Sequence, residues 1–533
     1  MKVFVYDTTL RDGAQMEGIS LSVADKMAML GHIEAMGADY IEGGWPGAIP
    51  RDTEFFNALK EHNPLTRATI TAFGSTTKAH TPAAEDAQVA ALVESEAPVV
   101  CLVAKSDIRH VGSALRTTEE ENLRMVRDTV SYLTGLGREV MVDMEHFFDG
   151  FAINPDYTTS VVAEAFRAGA TWAILCDTNG GTLPTRIGTV VSGLQARLAA
   201  DGVVNVRLGI HTHDDAGCAV ANTIAGVEAG CRQIQGTING YGERTGNANL
   251  LTAAANLALK TDFEVVSEEE LAEFTSVSHA VAELTNMAPQ ARQPYVGHSS
   301  FAHKAGLHAS AIRVDPNLYQ HTEPARVGND MRMLVSDMAG RSSVELKCRE
   351  FGIDLTGRAA ELGKITERVK AAEAAGYTYD AADASFELLV REILDGRRIA
   401  YFDVEQWATD IHSVQGQPGV TVSEARVKLH AGGQRIMRMG EGVGPVHALD
   451  QALRAALTPV YAELEWLELT DFKVRILDSS RGTRAVTRVL LTMRDEAGTW
   501  TTVGVGEDVI EAAWEALTDG YVYGFLRSGH APV

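Results

Sequence analysis

Cysteine is scarce. Five cysteines in 533 residues, none in a C-x-x-C pair, exclude a disulfide framework and fit reduced, scattered thiols in a cytoplasm. Cys101, Cys176 and Cys218 lie in or beside apolar, strand-like segments, where burial as small hydrophobes is expected. Long apolar runs are missing too. The longest, "APVVCLVA", is far below membrane-spanning length, and "MKVFVYDTTLRDG" reaches polar chemistry by Asp7 with no apolar h-region. Neither a membrane helix nor a signal peptide is expected, and the reading is a soluble cytoplasmic protein. Basic residues are outnumbered 47 to 71, for a net charge of −24. That field repels nucleic acid and anionic membranes, so neither is an expected partner, while small anionic substrates stay open if basic residues cluster locally. No G-x-G-x-x-G turn follows the first strand-like run, which removes the main signature of a dinucleotide-binding open sheet.

What is present has a period. Over the first 260 residues short β-branched runs ("VFVYDTT", "DYIEGGW", "TRATITAF", "PVVCLVA", "EVMVDME", "WAILCDT", "VRLGIHTH", "RQIQGTING") alternate with amphipathic stretches such as "SVADKMAMLGHIEAMG" and "TEEENLRMVRDTVSYLTGLG", which close on glycine as helices do. Eight such units predict a (β/α)8 TIM barrel over residues 1–261. Polar residues stand at the strand C-terminal ends: Asp7, Glu42, Asp143 with Glu145, Asp177, His211 with His213, and Asn239. A barrel opens all those ends onto one face, whereas an open sheet would spread them apart. Residues 262–405 read as a helical extension, with "VSEEELAEFTSVSHAVAEL" as one long helix and "SFELLVREILDG" as another. Residues 406–533 read as a small α+β domain with an internal repeat. At an offset of 64, Gly440, Gly442, Ala448, Ala452 and Leu453 fall on Gly504, Gly506, Ala512, Ala516 and Leu517, and "VKLH" falls on "LTMR". Two strand–strand–strand–helix units are expected there.

The chemistry concentrates in three stretches. In "GIHTHDDAG", His211 and His213 leave a strand on the same face. "YDTTLRDGAQ" ends the first strand, and "GYGERTGNANL" follows the eighth with glycines expected to let backbone approach a ligand. Strands one, seven and eight are neighbours in a closed barrel, so Asp12, His211, His213 and Asn247 can converge. Two imidazoles, a carboxylate and an amide oxygen suit a divalent cation (Mg²⁺, Mn²⁺ or Zn²⁺) at an open, catalytic site.

"DTTLRDGAQ", "HTHDDAG" and "GYGERTGN" resemble the signatures of the metal-dependent aldolase-type barrel family of 2-isopropylmalate, homocitrate and citramalate synthases, with 3-hydroxy-3-methylglutaryl-CoA lyase as a relative. The resemblance extends through "FAHKAGLH" (301–308) to the repeated C-terminal domain, which is similar to the family's regulatory domain. "MEHFFDGF", "LCDTNGGTLP" and "GTINGYGERTGNANL" most resemble the citramalate synthase group, an acyltransferase group that condenses acetyl-CoA with pyruvate. The alternatives are a 2-isopropylmalate synthase using 2-oxoisovalerate or a metal-dependent C–C lyase. The resemblance implies that the metal polarises a 2-oxo acid ketone and that Arg11 stabilises the developing alkoxide. It implies further that Gln15 and Thr178 hold the substrate, and that Glu145, His308 and Tyr319 serve removal of a proton from the acetyl methyl group. It implies a homodimer whose helical extension covers the site, and isoleucine as feedback effector, held at "MGEGVGPVHA" and "VGVGEDVIEAA" by backbone N–H groups.

Plainer roles stand beside these. Glu145 could pair structurally with Arg11, His308 could cap a helix, Gln15 could hydrogen-bond within its loop, and Tyr319 could pack. His146 is left out because a continuing strand would aim it at the opposite face. No basic cluster stands out for the phosphates of CoA.

Overall fold

The computed structural model describes residues 1–335, 340–413, 421–461, 466–477 and 485–532. The eight runs form eight strands: β1 (Phe4–Asp7), β2 (Tyr40–Gly44), β3 (Thr69–Ser75), β4 (Val99–Lys105), β5 (Glu139–Glu145), β6 (Trp172–Asp177), β7 (Leu208–Thr212) and β8 (Gln233–Gly236). They pair in parallel and in order, and β1 closes on β8 with Phe4 opposite Gln233 and Asp7 opposite Gly236. The expected barrel is therefore what forms. The helices after the strands pack outside, among them Val23–Ala35, started by a reciprocal Ser22–Asp25 capping box, and Glu119–Gly135, capped by Thr118.

The two-residue strand period sorts the core. Val100, Leu102, Val140, Val142, Ala173 and Leu175 face the helices. Tyr6, Cys101, Met141, Trp172, Ile174 and Cys176 fill the interior. The same parity corrects part of the strand-end expectation. Asp7 and Asp177 follow inward-facing Tyr6 and Cys176, so they turn away from the axis and tie loops instead. Asp7 accepts hydrogen bonds from the Thr9 N–H and hydroxyl at 3.0 and 2.7 Å. Asp177 accepts from the Thr182 hydroxyl at 2.8 Å. Asn239 accepts from Ser278 and Gln293.

The chain divides into two compact units, 1–301 with 322–330, and 302–321 with 331–533. In the first, the expected long helix is broken at Glu273 into Glu268–Ala272 and Phe274–Leu284, because the Glu273 N–H bonds to the Glu270 carbonyl in a tighter turn. The second unit carries helices Gly306–Ile312, Arg341–Glu350, Ala359–Ala374 and Asp383–Asp395. Two antiparallel three-stranded sheets follow, Asp403–Ser413 with Thr421–Ala431 and Gln434–Gly442, and Glu468–Ile476 with Thr487–Asp495 and Gly498–Gly506. Helices Pro445–Leu457 and Val509–Arg527 end the two halves.

The expected repeat is thus real, and packing explains its spacing. A Cβ on Gly440 would fall 2.4 Å from the Ala452 nitrogen, and one on Gly504 would fall 2.0 Å from the Ala512 carbonyl oxygen. Gly440, Gly442 and Gly504 allow close strand-to-helix contact. Val427 and Leu429, with their repeat partners Leu491 and Met493, are buried. All five cysteines are free thiols, and Cys218 is only half-buried because it follows Gly217 in a loop. Among the described residues no helix is long and apolar enough to cross a membrane.

Candidate active site

The loop after β1 places the first candidate ligand, Asp12. The Thr8 carbonyl accepts the N–H groups of Arg11 and Gly13, and the Thr8 N–H reaches the Gly236 carbonyl, so this loop is tied to the end of β8. Asp12 is thereby buried against β7, its Oδ2 3.2 Å from His211 Nε2 and 3.9 Å from His213 Nε2. The fourth residue arrives by backbone. The loop after β8 runs back along the end of β7, with the Ala248 N–H on the Thr212 carbonyl and Asn247 opposite His213. Asn247 Oδ1 then lies 2.8 Å from His211 Nε2. The glycines of this loop let it fold closely on itself. A Cβ on Gly242 would strike the Asn247 amide at 2.2 Å, and one on Gly246 the Gly240 carbonyl at 2.0 Å.

Atoms bound about 2.1 Å from one small divalent cation lie about 3 Å apart when adjacent and about 4 Å apart when opposite. The observed separations meet that test, and Asp12, His211 and His213 present their donor atoms within 4.8 Å of one another. His211 Nδ1 sits 2.9 Å from Gln235 Oε1. A ring that donates there keeps its Nε2 lone pair available to a cation. His213 Nδ1 is buried with no hydrogen-bond partner among the described residues.

Charge follows the same geometry. Burial opposes ionisation of Asp12, but the Arg11 guanidinium and the hydrogen bond to His211 outweigh it and hold its carboxyl well below the usual range. Burial likewise opposes a charged His211, and Asp12 overrides it, lifting the ring to about 9. Burial and the neighbouring His211 push His213 down to about 4.

Around this centre lies a cavity of about 280 Å³ at the C-terminal mouth of the barrel, lined by Arg11, Gln15, Glu145 and Thr178 among others. Arg11 Nε donates to Glu42 Oε2 at 2.5 Å, its guanidinium lies 3.9 Å over the Phe73 ring, and Nη1 is 3.5 Å from Asp12. Phe73 in turn meets the Trp45 ring edge-on. The Tyr6 hydroxyl holds the other Glu42 oxygen at 2.8 Å. The structural pairing of Glu145 with Arg11 does not occur, because Arg11 is taken by Glu42 and Glu145 is ion-paired with Lys105, its register partner on β4. Burial pushes up the carboxyl of Asp143, which accepts the Cys101 thiol at 3.2 Å. Thr178 Oγ1 accepts the His146 N–H at 2.8 Å, leaving its own proton to point elsewhere. His146 itself is in the left-handed region (φ 57°) and stacks on His110 at 4.0 Å, outside the cavity wall. Gln15 is an exposed member of that wall.

Sequence reading assigned no role to Glu42, Lys105 or Gln235. Strand parity was the available signal for Glu42, which stands mid-β2, two residues after Tyr40 on the inward face. His308 and Tyr319 belong to the second unit, where their rings stack at 4.1 Å.

Comparison with known proteins divides the chain into three matches: an HMGL-like family over residues 2–281, a homocitrate synthase post-HMGL domain-like family over 295–376, and a LeuA allosteric (dimerisation) domain over 380–524. A Streptomyces coelicolor protein named (R)-citramalate synthase is 57% identical over 529 residues, covering 99% of this chain and 97% of its own. A Synechocystis protein of the same name is 45% identical, covering 98% and 96%. A Methanopyrus kandleri protein named probable 2-isopropylmalate synthase is 30% identical, covering 97% of each.

Proposed function

The chain belongs to the (R)-citramalate synthase family, and we propose that it condenses acetyl-CoA with pyruvate and water to give citramalate and CoA. The observation that carries this reading is the 57% identity over nearly the full chain, joined to the convergence of Asp12, His211 and His213. The 30% identity to a named 2-isopropylmalate synthase makes the larger 2-oxo acid the weaker reading.

Asp12, His211, His213 and Asn247 would hold a divalent cation, which when bound supplies Lewis acidity toward a 2-oxo acid. Arg11, fixed by Glu42 and Phe73, aims fixed positive charge at the ketone oxygen, where negative charge develops. The Thr178 proton, free because the oxygen accepts from His146, donates to the substrate carboxylate, and Gln15 closes the same side. Glu145, held by Lys105 in the cavity wall, takes the acetyl methyl proton. On the family resemblance of "FAHKAGLH" and "NLYQHTEPARVGN", His308 and Tyr319 assist that step.

The LeuA-type domain supports a homodimer whose C-terminal halves sense an amino acid, with isoleucine as effector and isoleucine biosynthesis as the process served. The test is thiol release from acetyl-CoA over a panel of 2-oxo acids, with and without isoleucine and leucine. Pyruvate is expected to be the best acceptor and isoleucine the inhibitor. Equal or better turnover of 2-oxoisovalerate would overturn the substrate assignment.

A further inference from the structure

Three motif residues still lack a part in the chemistry: Asp215 of "GIHTHDDAG", Gly180 of "LCDTNGGTLP" and Arg244 of "GYGERTGN". They meet at the rim of the cavity. Arg244 Nε and Nη2 donate to the two oxygens of Asp215 at 2.7 and 2.9 Å. Nη2 also donates to the Thr178 carbonyl at 2.9 Å. One guanidinium thus joins the loops that follow β6, β7 and β8. The fit is close, since the Ala216 N–H bonds to the Gly180 carbonyl at 2.9 Å. A Cβ on Gly180, whose φ is +61°, would fall 2.3 Å from Asp215 Oδ2.

Two features argue against an ordinary surface ion pair. An exposed pair of single contacts contributes little, whereas a two-pronged arginine–carboxylate contact fixes direction as well as distance. Arg244 is also held at φ 57°, a left-handed conformation that a non-glycine residue keeps only where its surroundings enforce it.

We propose that Arg244, locked by Asp215, is a positioning residue that holds the Thr178 backbone so that the Thr178 hydroxyl faces the 2-oxo acid carboxylate. The clip acts through Thr178: Nε and Nη2 are committed to protein oxygens, and Nη1 lies 3.9 Å from Glu243 Oε2. Its lever is complete: Arg244 holds the Thr178 carbonyl, the His146 N–H holds the hydroxyl oxygen, and the hydroxyl proton is left for substrate. The proposal rests on the reading of Thr178 as the carboxylate's partner.

The test is steady-state kinetics in both substrates for Thr178→Ala, Arg244→Met, Arg244→Lys, Asp215→Asn and the Arg244→Met/Asp215→Asn double variant. Arg244→Met and Asp215→Asn are each expected to raise KM for pyruvate about tenfold, the loss of one charge-assisted hydrogen bond, with KM for acetyl-CoA within about twofold. The double variant should be no worse than the poorer single one, because the two residues act as a unit. Arg244→Lys should recover part of the loss, since an ammonium cannot reach both Asp215 and Thr178. If Arg244→Met fails to fold, Arg244→Lys and Asp215→Asn carry the test. A raised pyruvate KM in Thr178→Ala with none in Arg244→Met overturns the clip alone. No rise in Thr178→Ala overturns the assignment of Thr178 and the clip with it. Additive single effects, or a parallel rise in the acetyl-CoA KM, would mean general loosening of the rim and also overturn the clip.

Discussion

Replacing Glu42 with glutamine keeps the side-chain shape and removes one charge from the floor of the site. The carboxylate is fully buried, with one oxygen on Arg11 Nε and the other on the Tyr6 hydroxyl. Glutamine can still accept from Arg11, and its amide can donate to the Tyr6 oxygen, but the Tyr6 proton then loses the acceptor it now has. What is lost is the counter-charge of a guanidinium that is itself only 10% exposed. Breaking a buried pair outright costs about 3–5 kcal/mol. Here Asp12 remains 3.5 Å from Nη1 and the Phe73 face stays in place, so the expected loss is about 2–3 kcal/mol. Equilibrium urea denaturation should show it as a lower midpoint at unchanged slope. Arg11 would also lose its fixed direction, and kcat should fall about 10–100-fold while KM for acetyl-CoA holds. A stability loss under about 0.5 kcal/mol together with near-normal kcat would refute the argument that Glu42 sets Arg11.

Other perturbations separate the remaining parts. Gln235→Leu removes the acceptor that orients His211 and should weaken metal affinity about 10–100-fold in a folded protein; an unchanged affinity by chelator competition would contradict that role. Burial lifts the Asp7 carboxyl to about 7 against the hydrogen bonds from Thr9. A folded pKa raised above the unfolded value means the native state binds the proton more tightly, so this group's contribution falls as pH rises from about 4 to about 7. Asp7→Asn should therefore gain about 2–3 kcal/mol on wild type between about pH 5 and about pH 8, and a pH-independent difference in denaturation midpoints would count against it. Gly440→Ala forces a Cβ to 2.4 Å from the Ala452 nitrogen and should destabilise the C-terminal half by about 1–3 kcal/mol. Gly444→Ala, with open space around it, is the control, and equal sensitivity of the two to limited proteolysis would refute the packing account of the repeat.

The barrel was legible because its signals are local. Buried β-branched runs bounded by glycine mark the strands, and the repeat of glycine and alanine at 64 residues marks two equal strand–helix contacts. Asp12, His211, His213 and Asn247 were legible because three motifs and barrel closure bring them together without side-chain detail. The partners that aim the site were not. Glu42 with Arg11 spans adjacent strands, Lys105 with Glu145 depends on the β4–β5 register, and Gln235 with His211 on that of β7–β8. Register is a property of the assembled sheet and leaves no mark on either strand alone. Asp7 and Asp177 misled for a related reason. They stand at strand ends like the others but one residue out of phase with the inward face. The break at Glu273 and the exposure near Cys218 likewise depend on one turn's hydrogen bonding.

The central claim is that Asp12, His211, His213 and Asn247 hold one divalent cation on which turnover depends. The direct measurement is metal content per chain alongside thiol release, before and after stripping with a chelator, for the wild type and His211→Ala. The account predicts about one equivalent per chain, loss of turnover on stripping with recovery on adding back Mg²⁺, Mn²⁺ or Zn²⁺, and no bound metal in the variant. Full turnover by metal-free protein would contradict it.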